Sequence, residues 1–101
     1  MKQWKRRYVV LTKENLLTFK DQNLSNPTEV INMDTCCTVK SSDEEINKQY
    51  SFKLEVQGGT IFYMYASDYS EKESWIGALG KAMIKPSVMI DDNFDNDYMW
   101  T

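Results

Sequence analysis

From residue 4 to residue 66 the chain falls into short runs rich in aromatic and β-branched residues, separated by polar breaks. Residues 4–11, W-K-R-R-Y-V-V-L, predict a strand. Lys13-Glu14-Asn15 interrupts it, and residues 16–20 resume as a second strand, so the pair makes a tight hairpin. Residues 21–27 hold Asn, Ser and Pro and predict a loop; residues 28–33 and 36–40 are two short strands around a turn at Asp34. Residues 41–48, charged and serine-rich, predict an exposed loop. In residues 50–56 the alternation is cleanest, with Tyr50, Phe52, Leu54 and Val56 on one face and Ser51, Lys53 and Glu55 on the other. Gln57-Gly58-Gly59 supplies the turn, and residues 60–66 return as an aromatic strand.

After this hairpin the period changes. Ser70-Glu71-Lys72-Glu73 fits a capping box, and Trp75, Ala78, Leu79, Ala82 and Met83 recur at helical spacing as one apolar stripe. Lys81 and Lys85 suit the negative end of the helix dipole, and Pro86 ends the helix. Gly77 and Gly80 lie inside it, where each costs about 1 kcal/mol relative to Ala. Close approach to a sheet would account for them. The stripe also predicts that Trp75 plugs an open end or seam of the β-structure. Six or so antiparallel strands and one amphipathic helix make an all-β fold with a C-terminal α-helix, a barrel or sandwich capped by that helix. The expected boundaries are a domain over residues 1–86 and an acidic C-terminal tail over residues 87–101.

Composition narrows the function. At 101 residues, 42% hydrophobic and 27% charged, the chain is one folded domain rather than a disordered segment. No apolar run approaches the ~20 residues of a membrane-spanning helix, and no signal-peptide pattern opens the chain. Two adjacent cysteines, Cys36 and Cys37, make no disulfide scaffold and read as reduced cytosolic thiols on opposite faces of a strand, with no metal site. There is no His, which removes the commonest general base and metal ligand. No nucleophile is followed by a recognisable base, and neither a phosphate-binding glycine loop nor metal-ligand spacing occurs, so neither catalysis nor a cofactor is expected. The net charge of −3 conceals an asymmetry: residues 1–20 hold Lys2, Lys5, Arg6, Arg7, Lys13 and Lys20 against Glu14 alone, while residues 91–101 hold four Asp and no base. One end is thus suited to anions, and the other is a solvated tail that could compete for the same basic patch. Overall acidity argues against nucleic acid as the partner.

The order of these pieces resembles a pleckstrin-homology (PH) domain. W-K-R-R-Y-V-V-L with L-L-T-F-K is similar to that family's second and third strands, residues 50–66 to its sixth and seventh, and S-E-K-E-S-W-I-G-A-L to its closing helix. The resemblance covers residues 4–85. It implies a bent antiparallel sandwich whose strand loops form a basic mouth, used by many members to bind phosphoinositide headgroups on the cytoplasmic leaflet. On this alignment the chain starts at the family's second strand, lacking the first strand and the Lys it carries; an unpaired edge would then be exposed. Lys5 and Arg7 fall at the family's binding positions. Thr18 stands where tight binders carry Tyr, leaving a weaker hydroxyl donor.

The residue geometry points the same way. Residues two apart on a strand share a face, so Lys5 and Arg7 align with Val9 and Leu11 and lie where that face runs out. The hairpin turn at Glu14 brings Lys20, aligned with Leu16 and Thr18, back toward Arg7, whereas Lys13 belongs to the opposite end. Lys2 adds charge to the loop or the membrane surface. Trp4 and Tyr8 read as packing residues. The expected function is an adaptor that binds phosphoinositide headgroups or anionic membrane through Lys5, Arg7, Lys20, Lys2 and Thr18, peripheral to the inner face of a cytoplasmic membrane. The alternative is a protein-interaction scaffold of the same fold, binding partner segments at a strand edge or beside the helix.

Overall fold

A computed structural model describes residues 3–84. The chain divides into two units, residues 1–35 and 36–101, each with its own sheet. In the first, β1 (Tyr8–Leu11), β2 (Asn15–Phe19) and β3 (Pro27–Asn32) form an antiparallel sheet in sequence order, followed by a 3-10 turn over Met33–Thr35. The second holds β4 (Cys36–Ser41), a one-turn helix α1 (Asp43–Ile46), β5 (Ser51–Val56), β6 (Ile61–Tyr65) and α2 (Tyr69–Met83), with β4, β5 and β6 also antiparallel in sequence order. This is the expected strand-rich architecture with a C-terminal helix, the strands being divided between two three-stranded antiparallel sheets. The boundary at residue 86 and the acidic tail, residues 87–101, lie outside the described residues.

In the first unit Leu16, Phe19, Ile31 and Met33 are buried, and the register Leu11↔Leu16↔Ile31 puts three aliphatic side chains on one face. The hairpin turn is closed by Thr12, whose N–H donates to the Asn15 carbonyl at 2.8 Å and whose hydroxyl oxygen accepts the N–H groups of Glu14 and Asn15. The first strand is shorter than its sequence suggests, beginning at Tyr8 rather than residue 4. β2 ends at Phe19 after a bulge between Thr18 and Phe19, and an Asp21-centred turn follows, with Oδ1 accepting the Asn23 N–H at 2.9 Å. Continued pairing would also set Arg7 opposite Lys20, and like charges directly opposed disfavour a ladder. Trp4 and Tyr8 are not packed away; they remain 44% and 46% exposed.

The second unit departs further. Residues 41–48 do not form a plain exposed loop: Ser42 is buried, and α1 occupies the middle. β5 is buried along both faces of its first four residues, so Ser51 and Lys53 are as hidden as Phe52 and Leu54. Tyr50 is not yet strand; it takes a left-handed φ of 65°, held by its N–H donating to Asp43 Oδ2 at 3.0 Å. α2 begins before the expected Ser70 cap. Asp68 is the N-cap, its Oδ1 accepting the Glu71 N–H at 2.8 Å, while Glu71 Oε1 accepts from the Ser67 N–H and hydroxyl at 2.8 Å. Both Asp68 and Ser70 have a glutamate three residues on, and the cap that forms is the one at Asp68, where Glu71 reaches back to the Ser67 N–H and hydroxyl. On α2 Leu79 and Lys72 are buried, Trp75 is half-buried and Ala78 is exposed. Close packing does not explain Gly77 and Gly80, since a Cβ at either would meet nothing within 4 Å.

Candidate anion-binding face

The β1–β2 register pairs Tyr8 with Phe19, Val9 with Thr18, Val10 with Leu17 and Leu11 with Leu16. Arg7 and Lys20 are the next residues outward on each arm, which sets them beside one another at the open end of the hairpin, with Lys5 and Arg6 just beyond. Lys5, Arg6 and Lys20 are exposed, and Arg7 is half-buried, its Nη1 donating to the Arg6 carbonyl at 2.9 Å. Among the described residues no carboxylate oxygen lies within 4.0 Å of these four cations. Lys13, in the hairpin turn, is at the other end. Lys2 lies outside the described residues.

Thr18 differs from the cations. It is only 8% exposed, and its hydroxyl is 2.6 Å from that of Thr28, which in turn donates to the Thr18 carbonyl at 3.2 Å. The Thr18 hydroxyl is thus buried and engaged with Thr28 rather than open to the surface. The loop after β2 is tied to β1 by the Tyr8 hydroxyl, which donates to Gln22 Oε1 at 3.2 Å. This places the loop beside the basic segment.

The second unit contains a polar cluster that local sequence patterns do not reveal. Lys72, 4% exposed, donates to Asp43 Oδ1 at 2.6 Å and to the Ser41 hydroxyl at 2.7 Å. Asp43 also accepts the N–H groups of Tyr50 and Ser51, and Ser42 and Ser51 share a hydroxyl–hydroxyl hydrogen bond of 2.8 Å. The Lys72 hydrogen bond, followed by that from Tyr50, holds the Asp43 carboxyl below the usual carboxylate range. Glu45 is lowered in the same way by Lys53 at 2.7 Å and by the Tyr63 hydroxyl at 2.7 Å. One sequence signal does mark this cluster: Lys72 continues the helical stripe through Trp75, Leu79 and Met83, and a lysine on an apolar stripe requires a buried partner.

An open cleft of about 520 Å³ is lined by Lys40, Ser41, Asp43, Glu44 and Glu45. Asp43 and Glu45 are already paired with Lys72 and Lys53, which leaves this region a structural role. Among the described residues no three His, Cys, Asp or Glu are grouped to hold a metal ion. Cys37 is exposed, and Cys36 is half-buried with its thiol pushed up, chiefly by burial and then by Cys37. No described helix is long and apolar enough to cross a membrane.

Comparison with known proteins agrees with this architecture. The PH domain family matches residues 1–83. A pleckstrin homology domain-containing protein 1 of Arabidopsis thaliana is 36% identical over 103 residues, covering 97% of this chain and 70% of the relative. A pleckstrin homology domain-containing family A member 6 of Mus musculus is 31% identical over 84 residues, covering 81% of this chain but only 7% of that much longer protein. Among solved structures, the Slm1 PH domain in complex with phosphoserine superposes with a TM-score of 0.64 at 26% identity, covering 77% of this chain and 78% of that one. The two antiparallel three-stranded sheets, the C-terminal helix and the match across residues 1–83 together make this chain a member of the PH domain family.

Proposed function

We propose that this chain is a non-enzymatic adaptor module that recruits the protein carrying it to anionic, phosphoinositide-bearing membrane on the cytoplasmic side. The observation that carries the reading is the group of Lys5, Arg7 and Lys20 at one end of the β1–β2 hairpin, with no carboxylate within 4.0 Å among the described residues. Such a group attracts an anionic leaflet by about 1 kcal/mol per Lys or Arg. Arg7 clamps a phosphate bidentately, while Lys5 and Lys20 act as point charges. A phosphate monoester, phosphoserine, is the ligand in the related Slm1 domain structure, which supports phosphate as the chemistry recognised.

The test is co-sedimentation with phosphatidylcholine vesicles carrying a minor fraction of phosphatidylinositol phosphates. Lys5→Ala together with Arg7→Ala abolishes binding and leaves thermal melting unchanged, and wild-type binding weakens as salt shortens the screening length. Undiminished binding by the double variant would refute the assignment. A second reading has its own support: among the described residues β1 is an edge strand paired only with β2, so an extended peptide could add beside it. Partner binding indifferent to salt and to Lys5 and Arg7 would select that reading.

A further inference from the structure

Leu24 occupies a position that its side chain does not favour. Its φ is +53°, in the left-handed region where a side chain bearing Cβ crowds the backbone, and it is 46% exposed at the tip of the loop between β2 and β3. Asn or Gly would suit that backbone better and would keep an aliphatic group out of water. The local structure nonetheless defines the turn: Asp21 accepts the Asn23 N–H on its carboxylate at 2.9 Å and the Leu24 N–H on its carbonyl at 3.4 Å. The Tyr8–Gln22 hydrogen bond then ties this loop to β1, next to the cationic residues 5–7. Trp4, 44% exposed, stands immediately before Lys5, and Lys20 opens the loop itself. An apolar tip and an amphipathic aromatic therefore flank, within the same unit, a group of cations with no carboxylate partner among the described residues. Charge selects the occupant: a surface combining anions with a hydrocarbon layer beneath them is a lipid bilayer, and cations with adjacent apolar groups match both of its layers.

We propose that Leu24 is a membrane-inserting wedge that enters the acyl boundary of an anionic bilayer, with Trp4 at the headgroup level, once Lys5, Arg7 and Lys20 have engaged the lipid phosphates. The inference rests on the membrane-binding reading above and adds an apolar component to it. The Asp21 carboxylate, turned back onto the Asn23 N–H, stays at the base of the loop. Coulomb attraction and insertion differ in salt dependence. Raising salt from ~0.15 M to ~1 M shortens the screening length from about 8 to about 3 Å, whereas apolar burial is not screened.

The experiment compares wild type with Leu24→Asn and Leu24→Gly, both of which suit a left-handed φ and so keep the loop and melt at or above the wild-type temperature. Binding is measured to the phosphatidylcholine–phosphatidylinositol phosphate vesicles at both salt concentrations, and to a soluble inositol phosphate. The expected result is a roughly three- to tenfold loss of vesicle partitioning in both variants, the size set by burying the part of a leucine side chain, 46% exposed, that insertion would cover. The loss persists at ~1 M salt, where Coulomb steering is screened, while affinity for the soluble inositol phosphate is unchanged. Wild-type vesicle partitioning by both Leu24 variants, with binding lost in the Lys5/Arg7 double variant, overturns the wedge and leaves headgroup binding standing. Full binding by all three variants overturns both. Loss in the Leu24 variants alone keeps the apolar contact and overturns the cationic site.

Discussion

The four glycines provide a controlled test of what limits the stability of this fold. A Cβ built at Gly58, Gly59, Gly77 or Gly80 meets nothing within 4 Å, so steric contact does not distinguish them. Backbone conformation does. Gly77 and Gly80 lie in α2, while Gly58 and Gly59 form the β5–β6 turn at φ of 90° and 92°. In a helix interior, Ala is favoured over Gly by about 0.8–1 kcal/mol, because Gly has more conformational freedom to lose on folding. Gly77→Ala therefore stabilises by about 1 kcal/mol. Gly80→Ala, in the last turn, gives somewhat less, and the two add because an alanine methyl makes no new contact. For a domain of this size 1 kcal/mol corresponds to about 4–8 °C in melting temperature. At Gly58 or Gly59 the same substitution forces a Cβ into positive φ and destabilises by about 1–2 kcal/mol. Urea unfolding followed by circular dichroism reads both signs, with the slope on urea unchanged if only stability has altered. A loss of stability in Gly77→Ala, or a gain in Gly58→Ala, would refute the assignment of the cost to backbone conformation.

Other consequences follow from the caps and the ion pairs. Asp68→Ala removes the N-cap acceptor of α2 and costs about 1 kcal/mol, measured by the same unfolding curves; Asp68→Ser or Asp68→Asn retains most of it. The depressed carboxyls of Asp43 and Glu45 bind protons more weakly folded than unfolded. Their contribution is complete above the ordinary carboxylate range near pH 4 and disappears as pH falls through the lowered folded values. Lys53 and Tyr63, both raised by their hydrogen bonds to Glu45, contribute below their ordinary range near pH 10 and lose this as pH rises further. With no His in the chain, melting temperature should be flat from about pH 5 to 8 and decline on either side. A steep transition near neutrality, or an unchanged acid limb in Asp43→Asn, would contradict this.

Much of the fold is written in local periodicity, and the departures have physical causes. The β5–β6 hairpin and α2 are legible because alternation, paired glycines and helical spacing are all short-range signals. The start of α2 is harder to read because Asp68 and Ser70 are both good caps, and each has a glutamate three residues on. The Asp43 cluster is barely legible, since its partners lie 7, 8 and 29 residues away and serine with acidic neighbours otherwise marks solvent. S-S-D-E-E does carry a helix-start signal, with acidic residues in the first turn. At the basic end the sequence reveals the charge but not how far the ladder runs, because strand pairing stops at Phe19 and leaves Lys5–Arg7 beyond it. Nor does it reveal that Thr18 gives its hydroxyl to Thr28, a pairing set by the β2–β3 register.

The double-sided burial of β5 bears on how its partner strands find the correct alignment. A strand with one wet face is aligned by keeping polar residues in water, but the first four residues of β5 have no such face. Sliding it by one position would exchange Phe52 and Leu54 with Ser51 and Lys53. Lys53 would leave Glu45, at 2.7 Å, for apolar surroundings, and Leu54 would take its place before that carboxylate, while Glu55 moves with the strand. The Lys53–Glu45 ion pair thus encodes alignment more than cohesion: it makes every neighbouring pairing of the central strand wrong by a buried charge.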